Sequence, residues 1–260
     1  CTAAGYNALG SNTTGSHNTA VGHHSLVSNT TASHNTALGY KALEANTTGT
    51  GNVAIGVQTL DAGTTANYNT AVGNYALSST ITGEQCVAVG YEALKLNTGH
   101  FNTAMGFQSL EANTTGTNNV AMGHNAADAN TTGGGNTALG GGALSANTTA
   151  SYNTAVGYNA LTANTTGSYN TVVGRNALDA NTTGEYNTIV GHEAMKHCTT
   201  GNQNVAIGRM AGQYITTGQY NISIGSIANG WTVTDKTGNY NIHIGYATNP
   251  SAADVSNEIV

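Results

Sequence analysis

Charge is what this sequence has least of: only 7% of its 260 residues are Asp, Glu, Lys or Arg, far below an ordinary globular surface. Six Lys+Arg stand against twelve Asp+Glu, for a net charge of −6. No basic cluster exists that could neutralise phosphates or hold an anionic membrane, so nucleic acid and lipid are not expected partners. No apolar run approaches the ~20 residues that span a bilayer, which argues against membrane insertion by this segment. The chain starts on Cys1 inside a repeated motif, without a charged leader, and reads as a piece of something longer. One proline and one tryptophan complete the scarcities.

Catalytic and ligand motifs are missing as well. The three cysteines, Cys1, Cys86 and Cys198, fall five or more repeats apart, about 24 Å or more in a stacked fold, which excludes an intrachain disulfide. No CxxC or paired Cys/His spacing supports zinc. His23 and His24 are adjacent, and His17 and His34 share a column; they read as surface residues rather than metal ligands. No GxxxxGK or strand-to-helix GxGxxG is present, so Gly133 to Gly135 and Gly140 to Gly142 read as corners. Acidic residues such as Glu44, Asp61, Glu111 and Asp179 come about one per repeat and read as solvated, not paired for acid–base work. No enzyme activity and no cofactor are expected.

What is abundant is Asn, Thr, Gly and Ala, in strict period. A glycine recurs at Gly5, Gly22, Gly39, Gly56, Gly73, Gly90, Gly106, Gly123, Gly140, Gly157, Gly174, Gly191, Gly208, Gly225 and Gly245. The spacing is 17 except for 16 after Gly90 and 20 after Gly225. The consensus NTAVGYNALxANTTGxY is nearly verbatim from Asn153 to Tyr169. Periodicity this strict argues against a disordered low-complexity tract.

Within each unit the second and fourth positions, such as Thr19 and Val21 or Val205 and Ile207, alternate as on a strand and are assigned to the core. The third position is alanine in eleven of fifteen units, and is assigned to an opposite face where something packs closely. The AL pair after the glycine, as at Ala160 and Leu161, adds a third apolar group and is given a second short strand. A helix there fails on length, since only about six residues separate the glycine from the NTT segment and isolated helices need roughly 12. NTTG stretches such as Asn164 to Gly167 carry turn chemistry.

Together these predict an all-β chain: a parallel β-solenoid of about fifteen 17-residue coils, regular over residues 1–225. Residues 226–260 hold an irregular last coil and a transition to a further domain, marked by Trp231, Ser223, His243 and Pro250. Rungs about 4.8 Å apart would make a rod on the order of 70 Å long. Asn fills the first motif position in thirteen units, forming amide ladders, and the Thr columns form similar ladders on a turn edge. An alanine stripe along such a rod, roughly 400 Å², calls for burial against identical chains, with a trimer expected.

The units NVAIG at Asn52 to Gly56 and Asn204 to Gly208, and CVAVG at Cys86 to Gly90, resemble the head repeats of trimeric autotransporter adhesins. The NTAVG units followed by NTTG turns also resemble repetitive bacteriophage tail-fibre shafts. That resemblance implies a left-handed β-roll, three chains about one axis, and a place outside the cell, on a cell surface or a virion fibre.

Tyr152, Tyr169, Tyr186 and Tyr220 form a column that suits surface carbohydrate or stacking between coils. Nine sequons, at Asn12, Asn29, Asn46, Asn113, Asn130, Asn147, Asn164, Asn181 and Asn221, are candidate glycosylation sites, although turn chemistry accounts for eight. The expected function is a structural and adhesive fibre segment attaching to a host or surface receptor. The alternative from another class is ice binding, through a regular Thr array on a charge-poor solenoid. A polysaccharide-degrading solenoid lacks its recurrent acidic cluster.

Overall fold

A computed structural model describes residues 1–230, 237–249, 251, 256–257 and 259–260. The chain divides into two compact units, Cys1–Thr132 and Gly133–Val260. Each is an all-β parallel solenoid with one three-residue strand per turn and about 17 residues per turn. In the first unit the strands are β1 (Thr2–Ala4), β2 (Thr19–Val21), β3 (Thr36–Leu38), β4 (Val53–Ile55), β5 (Thr70–Val72), β6 (Val87–Val89), β7 (Thr103–Met105) and β8 (Val120–Met122). In the second they are β9 (Thr137–Leu139), β10 (Thr154–Val156), β11 (Thr171–Val173), β12 (Thr188–Val190), β13 (Val205–Ile207), β14 (Ile222–Ile224) and β15 (Ile242–Ile244). Within a unit each strand pairs in parallel with the next, motif position on motif position, as in Thr19↔Thr36, Ala20↔Ala37 and Val21↔Leu38.

The glycine after each strand is what permits that stacking. Gly157 has φ +135°, and a Cβ there would lie 2.6 Å from the carbonyl oxygen of Gly174 on the next rung, so both the conformation and the space exclude a side chain.

Two buried amide ladders join the rungs. In the strand-side column the Asn18 Nδ2 donates to the Ala32 carbonyl at 2.8 Å, and its Oδ1 accepts from the Asn35 backbone N–H at 2.9 Å. In the corner column the Asn46 Nδ2 donates to Asn29 Oδ1 at 3.0 Å and to the Gly49 carbonyl at 3.0 Å. The Thr columns bond along the edge, hydroxyl to carbonyl, as in Thr165 to Thr182 at 3.0 Å and Thr182 to Thr199 at 3.1 Å.

Two sequence expectations are corrected. The AL segment is a turn, not a second strand: Asn159 and Leu161 both have positive φ, at 52° and 55°. Such alternation sends the Asn159 N–H to the Gly141 carbonyl at 3.0 Å and the Leu161 N–H to the Ala177 carbonyl at 3.0 Å. The inside and outside of the strand are also exchanged. Ala20, Ala37, Ala54, Ala71, Ala88, Ala104 and Ala121 are all fully buried, while the residues on either side of them point outward. The reason is volume. The Leu column (Leu43, Leu60, Leu77, Leu94) turns inward from the opposite side of the coil and is itself fully buried, and the amide ladders occupy the corners. In these rungs a methyl fills the space between; in β11 and β12 the same position takes Val172 and Ile189, also fully buried.

The short repeat is absorbed in the turn. Asn97 Nδ2 still reaches the Gly99 carbonyl at 2.7 Å, Thr98 still bonds Thr114, and Val87 pairs Thr103 in register. Around the long repeat, Trp231 and residues 232–236 lie outside the described residues, as do Pro250 and residues 252–255. Beyond them β15 keeps register with β14, and Ile259 bridges Ile242, again 17 residues on.

Candidate functional site

The reversed strand puts a continuous band on the surface of each unit. Side chains alternate outward at the residue two before the strand, at both strand ends, and at the residue after the glycine: Tyr152, Thr154, Val156 and Tyr158 in one rung. The column at the strand's end is aliphatic and either exposed, with Leu38 46%, Met122 41% and Ile207 41% accessible, or half-buried, as at Val72 and Val156. The column at its start is Thr in most rungs and becomes Val205, Ile222 and Ile242 in the last three of the second unit. A small flat sheet with an apolar outer surface is thus presented rung after rung.

Aromatic stacks flank it. Tyr152, Tyr169 and Tyr186 lie ring over ring at 5.2 and 5.0 Å, nearly parallel, and Tyr220 stacks on Tyr240 at 4.8 Å. All four predicted tyrosines are exposed, Tyr152 the most at 61%. Their faces are occupied by one another, so a ligand on this column meets ring edges and hydroxyls. In the first unit His17 stacks on His34 at 4.8 Å, and His23 lies between Tyr6 and Tyr40 at 5.2 and 5.6 Å. These histidines are members of the aromatic columns. Among the described residues no group of three or more His, Cys, Asp or Glu is placed to hold a metal ion.

The sequons fall elsewhere. Asn29, Asn46, Asn113, Asn130, Asn147, Asn164 and Asn181 are fully buried and Asn221 nearly so, while Asn12 is half-buried. Asn164 Nδ2, for example, donates to Asn147 Oδ1 at 3.0 Å and to the Gly167 carbonyl at 2.9 Å. The folded solenoid leaves these eight buried asparagines no accessible amide on which a glycan could sit, because seven lie in the corner ladder and Asn221 in the strand-side ladder, both of them interior.

Charged side chains gather on the turn edge after the Leu column. Lys95 Nζ lies 2.7 Å from Glu92 and 3.9 Å from Glu111. The Lys95 hydrogen bond holds the Glu92 carboxyl below its usual range, while burial raises Glu111, Asp61, Asp128 and Asp179. Cys198 takes the place of an Asn in the corner ladder, and burial pushes its thiol up to about 12. That thiol is neutral and inert at ordinary pH.

Sequence reasoning missed the outward aliphatic column by assigning it to the core. A signal was present: the alanine and leucine columns together already supply an interior, leaving Val21, Leu38 and Ile55 without space there. No protein-family model, curated protein or solved structure matches the chain. Among the described residues no helix is long and apolar enough to cross a membrane.

Proposed function

We propose that this chain is a non-catalytic, structural and adhesive segment of an extracellular fibre, wound left-handed and assembled as a homotrimer, that attaches a cell or virion to a host or surface. The observation that carries the reading is the exposed aliphatic column on the flat strand face. Each rung offers about 4.8 Å by 10 Å, so the eight rungs of the first unit present on the order of 400 Å², comparable to the largest apolar patch that monomers tolerate. Identical chains packed strand face to strand face around one axis would bury it under closed symmetry. The interface is therefore placed on Leu38, Met105, Met122, Val173, Val190 and Ile207, and not on the alanine column, which is interior. Repetition then supplies affinity, since many weak contacts to a receptor act together. Light scattering on the purified chain should report three chains per particle. A monomeric mass at micromolar concentration removes the assembly on which the reading stands.

Ice binding has one observation of its own. Thr137, Thr154, Thr171 and Thr188 stand in register on the outward face of β9 to β12, a regular hydroxyl row beside an aliphatic one. Thermal hysteresis of the purified chain is the measure; freezing behaviour like that of a control protein of equal mass retires this alternative.

A further inference from the structure

The residue after the strand-closing glycine runs Tyr158, Arg175, His192, Arg209 in successive rungs of the second unit. Both arginines of the chain are in this one column. Every described lysine has a carboxylate partner: Lys41 with Glu44 at 3.2 Å, Lys95 with Glu92 at 2.7 Å, Lys196 with Glu193 at 3.2 Å. Among the described residues neither arginine has one. Arg175 and Arg209 are exposed, and Arg175 Nη1 donates to His192 Nε2 at 3.2 Å. Glu193, whose carboxylate feels the Arg175 charge, is held by Lys196 at 3.2 Å and by Gln213 at 3.4 Å. In a chain of net charge −6, two guanidinium groups on one line without a carboxylate within salt-bridge distance among the described residues stand out from the ion pairs elsewhere.

Geometry narrows the ligand. The two arginines are two rungs apart, about 9.6 Å. Beside Arg209 lies an open hollow of about 160 Å³ lined by Arg209, Met210, Tyr214, Ile227 and Gly230. Its walls combine Met210, Ile227 and the ring of Tyr214, which carries His197 on one face at 5.3 Å, with the Arg209 guanidinium; this mix of apolar and polar groups suits a pyranose ring, and each guanidinium presents a planar fork of donors that matches a carboxylate or sulfate. A polymer with an acid group on every sugar ring, or on every second one, places alternate-ring charges close to two rungs apart. Nucleic acid fits poorly, because its closely spaced phosphates need many neutralising cations and this row offers two arginines and one histidine.

We propose that Arg175, His192 and Arg209, with the hollow beside Arg209, form a binding site for an acidic polysaccharide. The acid groups meet the two guanidinium forks and a sugar ring seats against Met210 and Tyr214. The assignment rests on the adhesive reading above and gives the receptor its chemistry.

The test uses the whole chain with polygalacturonate, dextran sulfate and neutral dextran, titrated calorimetrically at low salt, with particle mass measured in parallel. Polygalacturonate or dextran sulfate should bind and dextran should not, and whichever anion binds more tightly identifies carboxylate or sulfate as the preferred group. The variant R175Q/R209Q should weaken that binding at least about tenfold, roughly the loss of one charged contact. K41Q/K95Q, an equal change in charge elsewhere, should leave it within about twofold of the wild type. The proposal is overturned if the wild type binds neither anion, if dextran binds equally, if duplex DNA binds more tightly than both, or if R175Q/R209Q binds like the wild type. It also falls if R175Q/R209Q changes the particle mass, since the arginines are then contacts between chains. A monomeric wild type that binds polygalacturonate would sink the trimer and leave this site standing.

Discussion

Replacing one amide of the strand-side ladder tests the fold's internal logic. Asn170 is fully buried; its Nδ2 donates to the Gly184 carbonyl at 2.9 Å and to Asn153 Oδ1 at 3.2 Å. Its Oδ1 accepts from the Asn187 backbone N–H and from Asn187 Nδ2, both at 3.0 Å. In Asn170→Ala these losses are unequal. The Gly184 carbonyl keeps Asn181 Nδ2 at 3.1 Å, and Asn187 Nδ2 keeps the Gly201 carbonyl at 2.9 Å. The Asn187 backbone N–H is left without an acceptor inside the coil, which costs about 1–3 kcal/mol, and the weakened remaining bonds add about 1 more. The variant should lose about 2–4 kcal/mol locally. Because each rung contacts only its neighbours, the loss concentrates in the rungs around Asn187. Native-state hydrogen exchange should show those amides opening roughly 30- to 700-fold faster. Asn170→Cys should cost less, since Cys86 holds the same column position, where its thiol donates to the Gly99 carbonyl at 3.5 Å and accepts from Asn97 Nδ2 at 3.6 Å. Exchange at Asn187 accelerated by less than about tenfold in the alanine variant, or equal damage from cysteine and alanine, refutes the ladder's role.

Three further outcomes are expected. Ala71→Leu should overpack the interior between Leu60 and Leu77 and cost about 1–3 kcal/mol at any protein concentration, whereas Val72→Asp on the outer face should lower the melting temperature by an amount that depends on concentration; the opposite pattern restores alanine to the interface. Asp128 is half-buried, its Oδ1 has no partner among the described residues, and burial raises its pKa. The folded state therefore holds its proton more tightly than the unfolded chain, so the ionised form destabilises the fold above that raised pKa and ceases to do so below the ordinary Asp range. Asp128→Asn should accordingly raise the melting temperature by about 1–2 °C at pH 7, the screening-limited size of a half-exposed charge, with no difference near pH 3. In a thiol titration Cys1 should react in the native chain, while Cys86 and Cys198, both buried with raised pKa values, react only after denaturation; rapid native reaction of Cys198 contradicts its place in the corner ladder.

The period, the parallel in-register strands and the amide ladders were all legible from residues, because each follows from one column of identical side chains. Gly157 announces the tight stack by itself: a residue that must have no Cβ in every unit marks a place where backbone meets backbone. The orientation of the strand was not legible from the same pattern. Thr-Ala-Val alternates equally well with either face inward, and the apolar bulk of Val156 argued for the core. What decides is the residue three positions before the corner Asn. Leu161 takes a left-handed conformation that an aliphatic residue seldom adopts, and this swings its side chain under the strand. A propensity reading assigns Ala160 and Leu161 to a strand or a helical turn because it has no way to anticipate backbone strain offset by ladder bonds on both sides.

The last rungs of the second unit show the same volume rule working in reverse. Where the strand column grows from alanine to Ser223 and then His243, both fully buried, the Leu column shrinks to Gly212 and becomes polar at Asn229. The space before Gly212 is taken up by Ile215, which stands where other corners carry Asn: a Cβ on Gly212 would lie 3.2 Å from its Cδ1 and 3.4 Å from Ser223 Oγ. Bulk is thus exchanged between columns in these rungs, whereas β11 and β12 bury Val172 and Ile189 together with full-sized Leu178 and Met195. Over these same rungs the two outward positions within the strand become wholly aliphatic, from Val205 and Ile207 to Ile242 and Ile244, the last of them 59% exposed. A polar interior beneath a more apolar exterior inverts the arrangement expected of a chain folding for water alone. It is the arrangement expected where the outer face is itself buried, as in the assembly proposed above, which would then engage β13 to β15.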